Sequence, residues 1–312
     1  MSAIHAVTGA FGYSGRVIAR RLVERGYRVV TLTNSPQHRR DDDPEIDVHP
    51  LAFDAPSRLV EALRGVDVLH NTYWVRFNHR HLSHAEAVRN TLTLFRCAEE
   101  AGVRRIVHVS ITNPDARSPL EYFRGKARLE AQLRESKLSY SILRPAMLFG
   151  DSDILVNNIA WFLRRFPVFG VPGDGTYRLQ PIHVDDLAKL AVAGAENTEN
   201  QIVPAIGPET FTFRGLVAEL ASILELRRLV VSVPPALVLA LTRLVGWAVD
   251  DVVLTSEEIR GLMANQLVVD ARPTGATRLT EWARAHRAHI GSTYASELAR
   301  RGARAAARAS RP

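Results

Sequence analysis

Short apolar, β-branched runs alternate with stretches whose apolar residues recur at helical spacing through the first half of the chain. That is the pattern of parallel βαβ units. Ala3–Val7 reads as a first strand and Tyr13–Arg25 as the helix after it, closed by Gly26. Arg28–Thr33 reads as the second strand, Pro36–Pro44 as a charged, proline-bounded loop, and Asp47–Leu51 as the third strand. A helix at Pro56–Leu63, a strand at Asp67–Asn71 and a long helix at Ser83–Ala101 follow, the last with Val88, Leu92 and Phe95 on one face. Arg105–Ser110, Leu120–Ser136 and Tyr140–Leu143 add strand, helix and strand.

Beyond Gly150 the pattern loosens. Val184–Ala195 reads as a helix and Ile202–Ile206 as a strand, so residues 181–206 are expected to return to a core built by residues 1–150. Residues 151–180 and 207–290 would form a smaller, mostly helical substrate lobe. Its expected parts are a Pro/Gly loop at Gly170–Gly175 and helices at Phe213–Leu226, Pro235–Ala248 and Ser256–Ala264. Residues 291–312 read as a basic, flexible tail. The fold class expected is α/β, a doubly wound parallel sheet, in which ligands bind beyond the carboxyl ends of the strands.

Gly9-x-x-Gly12-x-x-Gly15 stands at such a strand end and opens a helix. The first glycine permits a tight turn, the second lets backbone approach a pyrophosphate, and the third lets helix and strand pack closely. Phe11 and Tyr13 lie within the turn as further cofactor-binding candidates. Together with Thr8, this spacing resembles the short-chain dehydrogenase/reductase superfamily in its extended or atypical branch.

The resemblance implies a nicotinamide dinucleotide, and charge indicates which one. NAD binders place an acid at the end of the second strand, for the ribose 2′-hydroxyl. Here Thr33-Asn34-Ser35 stand there, no acid appears before Asp41, and Arg39 and Arg40 follow closely. Asn34, Ser35 and Arg39 can donate to a 2′-phosphate, which favours NADP(H) over NAD(H). The alternative is a solvated loop in which Arg39 and Arg40 pair with Asp41–Asp43. Phe53 and Asp54 resemble the adenine-contacting position, though Asp54 also suits a helix N-cap. Asn71, Thr72 and Tyr73 stand where the family's backbone flanks the adenine ribose and nicotinamide.

Tyr122-x-x-x-Lys126 puts a phenol and an ammonium one helical turn apart. In the family this pair is catalytic. The lysine favours the phenolate and bonds the nicotinamide ribose, and the tyrosine passes a proton to the substrate oxygen. Ser110 would hold that oxygen, with Thr112 as runner-up, and Asn90 resembles a proton-relay asparagine or is an ordinary surface residue. Leu143-Arg144-Pro145 resembles the family's loop beside the nicotinamide, so Pro145 joins the cofactor set. Pro181–Ala188 resembles its helix-opening "hVdDla" segment. The 12-residue step from Ser110 to Tyr122 is shorter than in extended members. It is closer to NmrA-like sensors and the NAD(P)H-binding accessory subunit of respiratory complex I, many of which bind cofactor without turning it over.

Composition narrows the rest. A 46% hydrophobic and 23% charged chain can bury a core and is not of the disordered class. The net charge of +7 invites a nucleic-acid reading, but residues 300–311 supply five arginines and no acid, and no nucleic-acid motif accompanies them. One cysteine, Cys97, forms no internal disulfide and suits a reducing compartment. The apolar start is a strand rather than a leader, so the expected location is cytoplasmic. Leu229–Val249, the most apolar stretch, is broken by Pro234-Pro235 and Arg243, too short to span a bilayer, and reads as a buried lobe helix. His79, His81 and His84 read as an exposed loop or polar lid. No carboxylate or cysteine completes a metal set, so no metal is expected.

The leading expectation is an NADP(H)-dependent oxidoreductase acting on a small-molecule carbonyl or alcohol, a reading compatible with a homo-oligomer. The alternatives are a non-catalytic NAD(P)H-binding sensor or assembly factor, a nucleotide-sugar epimerase or dehydratase, and a quinone-directed reductase at a membrane surface without stable insertion.

Overall fold

The computed structural model describes residues 2–79 and 82–300. His81 and residues 301–312 of the expected tail lie outside the described residues. In chain order the elements begin β1 (Ile4–Thr8), α1 (Tyr13–Glu24), β2 (Arg28–Leu32), β3 (Asp47–His49), α2 (Pro56–Leu63), β4 (Val68–Asn71) and α3 (His84–Glu100). They continue with β5 (Arg105–Val109), α4 (Glu121–Glu135), β6 (Ser139–Pro145), β7 (Met147–Phe149), α5 (Leu155–Arg165), β8 (Val168–Pro172), β9 (Arg178–Leu179) and β10 (Pro181–His183). The remainder is α6 (Val184–Glu196), β11 (Gln201–Ala205), β12 (Phe211–Thr212), α7 (Phe213–Ile223), β13 (Leu229–Val233), α8 (Pro235–Val249), α9 (Ser256–Met263), α10 (Leu279–Ala285) and α11 (Glu297–Arg300).

Two compact units divide the chain, residues 1–145 with 184–205, and residues 146–183 with 206–312. The first is a seven-stranded parallel sheet in the order β11-β6-β5-β4-β1-β2-β3. Strand order reverses between β1 and β4, the switch point where doubly wound sheets open a crevice. Strands such as β1 and β4 are buried almost throughout because helices cover both faces, and their polar residues His5, Thr8, His70 and Asn71 are buried with them. Ala6, Leu69, Ile106 and Ile142 meet Leu59, Leu94 and Leu129 from α2, α3 and α4 in one core. α1 ends at Gly26, whose φ of +80° lets Tyr27 N–H reach Leu22 O and its own N–H reach Val23 O. Ser83 and Glu86 form a capping box at the start of α3. Asp185 at the start of α6 accepts two hydrogen bonds from Arg21 of α1, which ties the returning segment to the first helix.

The second unit has its own core, with Phe149, Ile159 and Leu163 packed among Phe213, Leu216 and Leu220. Three two-stranded ladders run through it, β7 with β10, β8 with β13, and β9 with β12. Gly170–Gly175, expected as loop, is strand as far as Pro172, because Gly170 and Val171 pair with Val231 and Ser232. Such pairing joins segments about sixty residues apart and leaves no local periodicity. The helix at Pro235–Val249 is present, but it is not buried: only Val238 and Gly246 are fully covered. Its apolar residues outnumber the positions its neighbours can cover.

Candidate functional site

The glycine turn has the shape that its spacing implies. Gly9 follows β1 with φ +66°, and Gly12 N–H closes the turn on Gly9 O at 2.8 Å. A Cβ on Gly15 would lie 2.3 Å from Gly9 O, so helix and turn pack at a separation only glycine permits. No side chain caps the α1 N-terminus and no acid stands in its first turn. The helix therefore presents its positive end uncompensated by its own side chains, a fitting cradle for a pyrophosphate. The Phe11 ring is buried in the core, leaving only its backbone for a ligand, while Tyr13 is half-buried.

At the end of β2, Asn34 is committed to the fold. Its amide donates to Leu51 O at 3.0 Å and accepts from Leu51 N–H at 2.9 Å, joining the ends of β2 and β3. Ser35 is half-buried before a 3₁₀ turn at Pro36–His38. Asp43 meets Arg40 only through the backbone, accepting from the Arg40 N–H at 2.9 Å. Its carboxylate also accepts from Arg16 and Arg20 on α1, and Asp42 from Arg20. Arg39 is exposed, with a 3.5 Å contact to Pro44 O. Asp54 is exposed and does not cap α2, whose N-cap is Ala55, so the capping role proposed from sequence is corrected. Phe53 packs on the Tyr73 ring at 4.9 Å.

Thr8 organises the end of β4. Its hydroxyl donates to Asn71 Oδ1 and accepts from the backbone N–H groups of Thr72 and Tyr73. Thr72 in turn donates to Thr8 O at 2.6 Å. The Asn71 side chain is buried and meets His108 Nδ1 at 3.0 Å, so what this segment offers a ligand is backbone together with Thr72 and Tyr73. Asn90 donates to the Tyr73 phenol at 2.9 Å.

Tyr122 and Lys126 meet across Trp74. The Lys126 ammonium sits 4.3 Å from the Trp74 ring centroid and donates to Val109 O at 2.7 Å. Tyr122 packs edge-on against the same ring at 5.5 Å and against His84 at 5.6 Å. Lys126 is 2% exposed, and burial pulls its pKa from 10.5 down to about 7, with Glu130 opposing. Ser110 is buried too, and its hydroxyl donates to Glu130 Oε1 at 2.5 Å. Arg144 clamps the same carboxylate from β6, with Nε 3.0 Å from Oε1. Thr112 and Pro145 are tied through Thr112 N–H to Pro145 O at 3.0 Å.

Sequence reasoning missed Glu130, Arg144 as its partner, Trp74 and His84 in this role. Glu130 was within reach, because it stands four residues after Lys126 and therefore one turn along the same face. Trp74 and His84 come from the segment after β4 and carry no spacing signal. His84 is buried at the start of α3 rather than part of an exposed loop, and His79 is bridged to Leu82. Among the described residues no group of three metal-ligating side chains assembles.

The buried lysine makes stability depend on pH. Unfolded, it titrates near its ordinary value, so between about 7 and 10.5 the unfolded chain holds more protons than the folded one. Its destabilising contribution is full below about 7 and fades as pH rises to 10.5. Lys126→Met is expected to be more stable than the parent at pH 6, by an amount on the order of a few kcal/mol, with the difference shrinking toward pH 10. Paired thermal melts across that range check it; a constant difference refutes it.

Residues 9–160 match a family model described as NAD(P)H-binding. The chain is 25% identical over 221 residues to NADH dehydrogenase [ubiquinone] 1 alpha subcomplex subunit 9, mitochondrial, of Arabidopsis thaliana, covering 67% of this chain. It spans 55% of that relative's length. Among solved structures, a nucleoside-diphosphate-sugar epimerase from Staphylococcus aureus superposes with a TM-score of 0.74 at 16% identity, over 91% of this chain and 100% of that one. An NADPH-dependent quinone oxidoreductase from Escherichia coli, solved with NADPH, gives 0.73 at 20% identity over 90% and 99%. At these identities the two structures show the shared fold. No helix among the described residues is long and apolar enough to cross a membrane.

Proposed function

We propose that this chain is an NADP(H)-dependent reductase or dehydrogenase of the short-chain type, acting on a small-molecule carbonyl or alcohol in the cytoplasm. The observation that carries the reading is the Lys126 ammonium, stripped of water one helical turn from the Tyr122 phenol, on the helix that follows β5. The bound dinucleotide would supply or accept the hydride. Tyr122 would give its proton to the oxygen of a carbonyl undergoing reduction, or take one from an alcohol. Lys126, where charged, favours the phenolate through a protein interior that screens far less than water. The Gly9–Gly15 turn would hold the pyrophosphate. Glu130, fixed by Arg144, keeps the Ser110 hydroxyl oriented, so a substrate oxygen held by Ser110 would meet an oxygen whose proton is already given away.

That last point favours a second reading, a non-catalytic NAD(P)H-binding protein. Ser110 and Lys126 both spend donors inside the fold, and the plant relative is named as a subunit of a larger enzyme. Cofactor oxidation with any member of a carbonyl and quinone panel supports the first reading, and none with saturating NADPH supports the second.

Arg39 and Arg40 motivate the choice of NADP(H), since the Asp42 and Asp43 side chains are taken by α1. Calorimetry is expected to show tighter binding of NADPH than of NADH. Arg39→Ala together with Arg40→Ala should weaken NADPH roughly ten- to a hundredfold, the worth of one or two charge-assisted hydrogen bonds, and leave NADH unchanged. Equal losses for both cofactors would remove the preference from these residues.

A further inference from the structure

We propose that α8 is a docking surface for an anionic lipid bilayer, on which the protein rests peripherally. The proposal stands independently of the cofactor site. On the helical repeat, the fully covered residues Val238 and Gly246 lie on one side. The opposite arc carries Leu237, Ala240, Leu241, Leu244, Trp247 and Ala248. Leu237 and Leu241 are half exposed at 49% and 50%, Leu244 is 68% exposed and Trp247 90%. A tryptophan so open to water, on a stripe of leucines, is an exposed apolar patch of the kind that marks an interaction surface.

Charge and the exposed tryptophan together select the occupant. Arg243 is the one charged residue within α8; Arg227 and Arg228 precede β13, and Asp250 and Asp251 follow the helix. Arg243 is exposed at the margin of the apolar arc, where its stem can lie along the apolar surface while the guanidinium reaches headgroup phosphates. An anionic surface is complementary to Arg243 at the margin of the exposed arc. Tryptophan favours the interface between headgroups and hydrocarbon. The helix has 15 residues and rises about 22 Å, short of the roughly 30 Å hydrocarbon core, so it lies on the surface and does not cross.

The test is flotation of the full chain with vesicles of phosphatidylcholine alone or mixed with phosphatidylglycerol. Wild type is expected to float with the mixed vesicles and much less with phosphatidylcholine. Leu244→Ser together with Trp247→Ser should weaken that binding about thirtyfold while thermal stability is kept, since neither side chain is buried. The variant retains every arginine, including those in residues 300–311, so undiminished flotation would place the attraction elsewhere and overturn the proposal. A second measurement needs no destabilising change. Brominated acyl chains should quench tryptophan emission in wild type and not in Trp247→Phe, because Trp74, Trp161 and Trp282 are half-buried. Absence of quenching, or a lipid-free dimer in ultracentrifugation that the double variant dissolves, would equally sink it.

Discussion

Replacing Tyr122 by phenylalanine is expected to lower kcat by about two to four orders of magnitude while NADPH affinity stays within roughly twofold. The substitution removes one oxygen and keeps the ring, so the edge-on contacts with Trp74 at 5.5 Å and His84 at 5.6 Å persist and the helix has no reason to move. A turnover number unchanged by the variant would end the proposed role of the phenol. Parallel loss of turnover and cofactor affinity would mark Tyr122 as a binding residue instead. The pH profile adds a readout that packing alone would not move. In wild type, activity should fall as pH rises and Lys126 loses its proton, and this limb should move to lower pH in Glu130→Gln, which removes the carboxylate that opposes the lysine's loss of charge.

Gly15→Ala is expected to disrupt the glycine turn. Its Cβ would fall 2.3 Å from Gly9 O and 2.9 Å from Gly9 C, and both obstacles are backbone. The turn or the helix must shift, and both form the proposed pyrophosphate cradle. NADPH binding is expected to weaken about a hundredfold or more, with an overpacking cost of about 1–3 kcal/mol and a fall in Tm of several degrees. Gly12→Ala is the internal comparison, because its Cβ would meet Gly9 O at 3.1 Å, a contact relieved by a small adjustment. It should cost little stability yet still impair binding, since the second glycine is where backbone approaches the ligand. Thermal melts with and without NADPH measure both effects. A Gly15→Ala protein that binds NADPH normally would show that the turn is purely structural.

Much of the first unit was legible without coordinates. The β1 turn and the helix closure at Gly26 are local features, and each forms as its residues imply. Element ends differ from the expectations by one or two residues, as fraying ends do. The network beneath Tyr122 was less legible. Ser110, Glu130 and Arg144 lie on β5, α4 and β6, and only the packing of that helix on those strands brings hydroxyl, carboxylate and guanidinium within hydrogen-bond reach. Trp74 covers Lys126 for the same reason.

Local periodicity and a few glycines were enough to determine a parallel α/β core with a dinucleotide turn at its first strand end, because hydrogen bonding and side-chain direction repeat along the chain. The tertiary structure alone decided the environment of each group. It took the water from Lys126, turned Ser110 toward Glu130, gave the loop acids to α1 and left the apolar face of α8 exposed. Burial and partnership depend on which distant segments meet, and the pattern of one segment carries no record of what will lie across from it.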